Sequence, residues 1–345
     1  MSTTAVLQSV NRTPTRFIPG NPAVQARLAP LSLGNRSNRW GVILAGGDGL
    51  RLRQLTRLVS RDDRPKQFCP LLGNRTLLEE TRKRAERSIH PKQILFAVAR
   101  AHEKYYLRYL AAQASQRIVQ PCNKGTAPAI LYALLRIARM DPEAIVAILP
   151  CDHYYSPETA FTTALESAFT AAEQQAGSVV LLGAQPKGPE VEFGWIEVGE
   201  AIRGNAGLFR VKGFQEKPPL ALAERLFRNG SLWNTFVMVG QARTFLEMVR
   251  DTVPALLEVF EPERVMRDPT GEVRIPELVY DRIAPTDFAR QVLSAATDRL
   301  LSLRLTGIEW NDLGDPGRVL ATLADQKCDP PAWAKLWPRV STAAA

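Results

Sequence analysis

The sequence predicts an α/β fold: a Rossmann-like, mainly parallel sheet flanked by helices, with antiparallel strands added in the second half. Short apolar runs alternate with amphipathic segments of helical length, which is the pattern of repeated βαβ units. From about Phe193 short alternating strands follow one another more closely, which is typical of antiparallel strands added to a parallel core. The 345 residues, 45% hydrophobic and 23% charged, have the composition of an ordinary globular protein.

The elements follow from the spacing of apolar residues. β-rich apolar runs predict strands at 40–44, 94–99, 117–120, 145–149 and 178–182. Between them, apolar residues three and four positions apart predict helices at 76–88, 102–114, 126–140 and 157–175. The second half predicts strands at 194–198, 209–214 and 232–239, with a helix at 220–227. We therefore expect one central domain, residues 40–326.

The net charge of +9 is concentrated at the two ends of the chain. Residues 1–39 contain five arginines and no acid, and residues 327–345 contain three basic residues and one acid, so the middle carries only +2. We expect a flexible basic N-terminal tail at 1–39 and a C-terminal tail at 327–345. A near-neutral middle argues against nucleic acid as a partner.

Other classes of protein are excluded by what the sequence lacks. No apolar run approaches the roughly 20 residues that a membrane-spanning helix needs. The four cysteines form no C-x-x-C pair, so neither a zinc ribbon nor a redox dithiol is indicated. The N-terminus has no continuous apolar core of a secretory signal. We expect a cytoplasmic protein with free thiols and no membrane partner, and the sequence leaves assembly into a homo-oligomer open.

A glycine-rich loop follows the first strand, at Gly46, Gly47 and Gly49. Its backbone N–H groups can approach an oxyanion closely because no side chain intervenes. The loop lacks the third glycine of a dinucleotide fingerprint and the Gly-Lys-Ser/Thr of a Walker A loop. Arg51 and Lys66 supply two nearby cations, which suit a triphosphate. The loop alone is equally compatible with a tight turn beside solvated basic residues.

Six ordered motifs resemble the sugar-1-phosphate nucleotidylyltransferases, and within them the mannose-1-phosphate guanylyltransferases. The first pairs L-A-G-G-x-G-x-R-L with P-K-Q-F. The matching blocks are residues 44–52 with 65–68, 120–121 with 124–130, 149–153, 193–197, 214–218 and 233–234. The resemblance covers about 40–324, and it implies transfer of a nucleotidyl group from GTP to mannose 1-phosphate, with these two molecules as partners.

The resemblance assigns charged residues to the chemistry. It implies catalytic roles for Arg51, Lys66 and Asp152, and a Mg²⁺ cofactor held by Asp152 and Asp312. Asp152 follows a buried strand at the edge where open α/β sheets bind ligands, and Mg²⁺ typically takes one or two protein carboxylates. His153 beside it is expected to be structural. Since the nucleophile is a phosphate oxygen, no general base is needed.

The same resemblance assigns the binding residues. The implied nucleotide-binding residues are Leu44, Ala45, Gly46, Gly47, Gly49, Gln120, Gly125 and Thr126. The implied sugar-phosphate residues, in the second half that forms the sugar-binding part, are Gly194, Glu216, Lys217 and Asn234. After Asn234 the small-Gly pair often seen in the family is replaced by Thr235 and Phe236, which predicts a tighter sugar pocket.

Two further interpretations remain open from the sequence. The chemistry could use another nucleoside triphosphate or another sugar 1-phosphate. The chain could instead be a non-catalytic regulatory subunit built on the same fold. Such a subunit would be free to lose its phosphate-binding and metal-binding residues, whereas all five charged candidates are present here. Because the chain stops soon after the predicted domain, we expect no second catalytic domain.

Overall fold

A computed structural model describes residues 36–260, 266–267, 271–326 and 329–337. The predicted N-terminal tail lies outside these residues up to position 35. The described strands are β1 (Arg39–Leu44), β2 (Ile94–Ala99), β3 (Arg117–Gln120), β4 (Ile145–Pro150), β5 (Tyr154–Ser156), β6 (Val179–Ala184), β7 (Gly194–Ala201), β8 (Leu208–Glu216), β9 (Leu232–Gln241), β10 (Met266–Arg267), β11 (Val273–Arg274), β12 (Leu300–Arg304) and β13 (Glu309–Asn311).

The helices lie between and after these strands. They are α1 (Arg53–Ser60), α2 (Leu77–Ala85), α3 (Glu103–Leu110), α4 (Thr126–Met140), α5 (Glu158–Gln174), α6 (Leu220–Arg228), α7 (Ala242–Thr252), α8 (Pro254–Phe260), α9 (Glu277–Asp281) and α10 (Pro316–Asp325). A short π-helical turn covers Ala289–Leu293. No helix among the described residues is long and apolar enough to cross a membrane.

One large sheet organises the described strands, in the order β10-β11-β3-β2-β1-β4-β9-β6-β12-β8-β7. Strands β11, β3, β2, β1 and β4 are mutually parallel, as are β6 and β12. The remaining ladders are antiparallel, and β5 pairs separately with β13. The predicted α/β class is confirmed, with a contiguous parallel half that aligns the carboxyl ends of β1 to β4 at one edge.

Strand β9 lies inside the sheet, between β4 and β6, and is antiparallel to both. Its residues are buried at most positions on both faces, as expected of a strand covered by helices on both sides. The second half of the chain therefore contributes to the centre of the sheet as well as to its edge. Because β9 is antiparallel to β4, its first residues, Asn234 among them, lie at the same edge of the sheet as the end of β4.

Two apolar layers cover the two faces of the sheet because side chains alternate along each strand. On β4, Ala147 and Leu149 belong to one layer with Phe161 of α5, whereas Val146 and Ile148 belong to the other with Ile130 of α4. A third, smaller cluster packs α1 against α10 and includes Trp333 of the C-terminal segment. The described part of that segment, 329–337, thus packs against the domain.

Helix α2 begins with a reciprocal cap. The Thr76 hydroxyl accepts a hydrogen bond from the Glu79 amide, and the Glu79 carboxylate accepts one from the Thr76 amide. Each bond satisfies a backbone donor that the first turn of a helix leaves without an intrahelical partner. The cap therefore fixes where the helix begins.

We predict that Thr76→Ala lowers the free energy of unfolding by about 0.5–2 kcal/mol, the usual cost of losing such a cap. Urea unfolding at neutral pH measures this change. Thr163→Ala on the exposed side of α5 is the matched control, because its hydroxyl bonds only to the Thr159 carbonyl one helical turn away. Equal losses in the two variants would contradict the capping role.

Candidate active site

A cleft of about 400 Å³ opens at the carboxyl edge of the parallel strands. The predicted site residues that line it are Leu44, Gly46, Gly47, Arg51, Gln120, Gly125, Thr126, Asp152, Gly194, Glu216, Lys217, Asn234 and Asp312. Gly49 and Lys66 line an adjoining cavity of about 290 Å³, and Arg51 and Asp152 contribute to both cavities. Ala45 is buried beneath the loop, where its amide donates to the Ala97 carbonyl at 2.8 Å.

The glycine-rich loop is held from below by Gln67 of the P-K-Q-F motif. Its side-chain amide donates to the Ala45 carbonyl at 3.1 Å and to the Gly47 carbonyl at 2.7 Å. Gly49 has a φ of +60°, and a Cβ there would lie 3.2 Å from the Lys66 amide nitrogen. Glycine is needed at this position for both reasons. The P-K-Q-F motif contains Gln67, but its role in holding the loop is visible only in the structure.

Lys66 connects three distant parts of the chain. Its ammonium donates to the carbonyls of Asp312 at 2.6 Å and Leu313 at 3.1 Å, and lies 3.3 Å from Asp152 Oδ2. The residue is only 9% exposed. The structure thus brings together Lys66, Asp152 and Asp312, which the sequence predicts to lie in one site.

The electrostatic surroundings keep Asp152 ionised. Burial alone would raise the pKa of its carboxyl, but the charge of Lys66 and the proximity of His153 outweigh burial and lower it. Burial lowers the pKa of His153, whose Nδ1 accepts a hydrogen bond from the Trp310 indole at 3.3 Å. The contact with Trp310 agrees with the structural role expected for His153.

Asp152 and Asp312 offer oxygen donors that fit a hard divalent cation. Asp312 Oδ1 accepts hydrogen bonds from the Gly314 amide at 2.9 Å and from Arg318 at 3.0 Å, which orients the carboxylate at the cleft. Two carboxylates are the number that Mg²⁺ commonly takes from a protein when phosphates and water complete its octahedron. Within the described ranges no group of three or more metal-ligating side chains occurs.

Arg51 is paired across the mouth of the cleft with Glu192. Its Nη1 lies 2.9 Å from Glu192 Oε2, and the two side chains are 56% and 46% exposed. An exposed pair of this kind contributes about 0–1 kcal/mol. The pair is therefore weak enough for an anion to replace Glu192 at Arg51.

The side of the cleft that the sequence predicts for the sugar phosphate is built on neighbouring antiparallel strands. Gly194 pairs directly with Glu216, and a Cβ on Gly194 would lie 2.6 Å from Glu216 Oε2. Asn234 is buried and its side-chain oxygen accepts from the Phe236 amide at 3.1 Å. Lys217 has a φ of +50°, and its amide donates to the Phe193 carbonyl at 3.2 Å. The backbone there places these polar side chains at the cleft.

Glu216 is a carboxyl of the cleft with a strongly shifted pKa. Burial raises its pKa to about 7, Asp287 adds to the rise, and Lys217 and Arg290 oppose it. Asp287 also lines the cleft. This side of the cleft therefore holds a carboxyl group that titrates near neutrality.

The side of the cleft predicted for the nucleotide is closed by residues 286–289, a segment to which no sequence motif pointed. Gly125 has a φ of +92°, and a Cβ there would collide with the Thr286 carbonyl. The Thr126 hydroxyl accepts from the Phe288 amide at 2.8 Å and lies 3.3 Å from Asp287 Oδ2. No apolar period marks this segment in the sequence, so only its packing on the N-terminus of α4 reveals it.

The fold and the cleft define an α/β protein with a polar cleft at the carboxyl edge of its parallel strands. The chain belongs to the Nucleotidyl transferase family, which matches residues 40–326. This match agrees with the family that the sequence motifs indicated.

Curated relatives include the xanthan biosynthesis protein XanB of Xanthomonas campestris, 34% identical over 290 residues. Another is a mannose-1-phosphate guanylyltransferase of Escherichia coli K12, 30% identical over 287 residues. In both comparisons the match covers 81% of this chain but 58% of the relative, so the chain spans less than two thirds of their length.

Among solved structures, a Thermus thermophilus protein described as a mannose-1-phosphate geranyltransferase superposes with a TM-score of 0.70. It is 29% identical, and the match covers 85% of this chain and 80% of that one.

We predict that Glu216→Gln removes a loss of stability with rising pH: the free energy of unfolding should fall less between about pH 5 and 8 than in the native chain. A carboxyl with a folded pKa of about 7 favours folding when protonated, so its contribution is present below its unfolded pKa and is lost as pH rises through 7. The variant should therefore gain stability over the native chain as pH rises. Urea unfolding at pH 5, 6.5 and 8 measures this, and parallel pH curves for the two proteins would contradict it.

Proposed function

We propose that the chain transfers a guanylyl group from GTP to mannose 1-phosphate, giving GDP-mannose and pyrophosphate. One observation carries the proposal: the glycine-rich loop, the carboxylates of Asp152 and Asp312 and the ammonium of Lys217 meet in a single cleft. The Escherichia coli relative named for this activity and the matched family support the choice of substrates. We propose residues 40–326 as the catalytic domain.

The proposed reaction needs positioning and neutralisation of charge. A phosphate oxygen of the sugar phosphate attacks the α-phosphorus of GTP, and pyrophosphate leaves in line. The attacking oxygen is already anionic, so no residue has to remove a proton. Backbone amides of the glycine-rich loop and the Arg51 guanidinium hold the triphosphate, and Lys217 holds the phosphate of the sugar.

Asp152 and Asp312 are the residues that would hold Mg²⁺. When bound, the ion supplies positive charge that offsets the negative charge of the phosphates. Lys66 keeps Asp152 ionised and joins it to the backbone of Asp312 and Leu313, so it holds both carboxylates in one place. Lys66 also lines the adjoining cavity together with Gly49.

The sugar is proposed to lie against Gly194, Glu216 and Asn234. Phe236 also lines this side, where the sequence predicted a tighter pocket. Another triphosphate or sugar 1-phosphate remains the alternative. Pyrophosphate release from a panel of GTP, ATP, UTP and CTP against mannose, glucose and galactose 1-phosphates decides between them.

In that panel we expect release with GTP and mannose 1-phosphate, dependent on Mg²⁺ and abolished by a chelator. Release with another pair only would replace the substrates and keep the chemistry. No release with any pair would contradict the proposal and favour a non-catalytic subunit.

We predict that Lys66→Ala and Asp152→Asn each lower turnover by orders of magnitude while the fold is kept. Each change removes one side of the pair that holds the carboxylates at the cleft. Steady-state pyrophosphate release measures turnover, and circular dichroism measures folding. Lys212→Ala and Asp298→Asn, at exposed positions, are the matched controls. Folded variants with near-native turnover would refute the assigned roles.

A further inference from the structure

Tyr280 is a buried residue next to the nucleotide side of the cleft that the proposed chemistry does not use. It is 0% exposed, and its hydroxyl donates a hydrogen bond to the side-chain oxygen of Gln120. Gln120 is itself only 4% exposed and lines the cleft. The hydroxyl of Tyr280 therefore contacts a residue that we assign to the nucleotide base.

The backbone holds Tyr280 in place beside Gln120. Strand β11 pairs in parallel with β3, and the Ile275 amide donates to the Val119 carbonyl at 3.2 Å. A buried ion pair between Arg117 and Glu272 fastens the same two segments. Helix α9, which contains Tyr280, begins shortly after β11. The pairing of β11 with β3 therefore places Tyr280 near the end of β3, where Gln120 lies.

This contact fixes the orientation of the Gln120 side-chain amide. If the amide were reversed, its NH₂ group would face the phenol, and the buried hydroxyl hydrogen would lose its acceptor, which costs free energy. Burial raises the pKa of Tyr280, with Cys122 adding to the rise, so the hydroxyl keeps its proton. The oxygen of the amide is therefore turned to Tyr280, and the nitrogen is turned away.

The amide nitrogen of Gln120 is therefore available to donate to a ligand in the cleft. It lies over Gly46, where a Cβ would be 3.0 Å from it. Across the described parts of the chain, no hydrogen-bond acceptor is recorded for this nitrogen. The small apolar residues Ala97, Ala99 and Ala129 also line the cleft, and side chains of this size leave room for a ring.

We infer that Tyr280 is a positioning residue for base selection: it holds Gln120 so that its NH₂ group donates to a carbonyl oxygen on the edge of a purine. This inference rests on the proposed function. Guanine carries an oxygen at the six-position, whereas adenine carries an amino group, which is itself a donor. The fixed amide thus accepts guanine and opposes adenine.

Tyr280→Phe tests the inference because it removes the hydroxyl and keeps the ring. We predict that the ratio of kcat/KM for GTP to that for ATP falls about tenfold, the size of one lost hydrogen-bond preference. The change should appear in KM for the nucleotide, with kcat at saturating GTP nearly unchanged. Tyr106→Phe, at an equally buried tyrosine on α3, is the control and should leave the ratio unaltered.

A double-mutant cycle separates positioning from general destabilisation. Gln120→Met should lower the GTP to ATP ratio by itself, and adding Tyr280→Phe to it should lower the ratio no further. An unchanged ratio in folded Tyr280→Phe overturns the inference. If that variant does not fold, an unchanged ratio in Gln120→Met overturns it equally.

Calorimetric measurement of GTP and ATP binding to the native chain distinguishes failure of this inference from failure of the proposed reaction. Tighter binding of GTP than of ATP, reduced in Tyr280→Phe, supports the inference even if no sugar phosphate reacts. Equal binding of the two nucleotides overturns it, while pyrophosphate release in the same preparation would still support nucleotidyl transfer.

Discussion

The buried ammonium of Lys66 is the interaction on which the cleft depends. A buried charge is costly unless it is paired and fully hydrogen-bonded, and Lys66 meets this need with Asp152 and the carbonyls of Asp312 and Leu313. These partners lie 86 and 246 to 247 positions away along the sequence. The next residue, Gln67, binds the carbonyls of the glycine-rich loop. Two adjacent side chains therefore join the loop after β1, Asp152 just after β4 and the backbone at Asp312 and Leu313.

Backbone strain is concentrated around the same cleft. The described non-glycine residues with positive φ are Arg61, Lys217, Phe236 and Leu313. Lys217 and Phe236 line the cleft, and the carbonyl of Leu313 accepts from Lys66. Such conformations cost on the order of 1–3 kcal/mol each and persist where the surroundings hold them. At Phe236 the strain follows from the sequence, because the resembled family often has glycine at this position and phenylalanine stands here instead.

The sequence predicted local elements well and long-range neighbours poorly. Strands 94–99 and 117–120 and helix 126–140 are observed with the predicted bounds. Each of these segments contains its own pattern, either a run of apolar residues or apolar residues with a 3.6-residue period. The central place of β9 was not predictable, since its pairing with β4 joins residues almost a hundred positions apart. The same limit applied to Asp287 and Tyr280, which carry no motif and reach the cleft only through tertiary packing.

The two cations that the sequence analysis treated alike, Arg51 and Lys66, differ in what it costs to release them. Arg51 and Glu192 form an exposed pair worth about 0–1 kcal/mol, so a triphosphate can take the place of Glu192 with little loss. Removing Lys66 from its partners would leave a carboxylate and two carbonyls without their buried cation, which costs several times more. On the proposed function, Arg51 therefore exchanges partners when nucleotide binds, while Lys66 keeps its own and holds the site in shape.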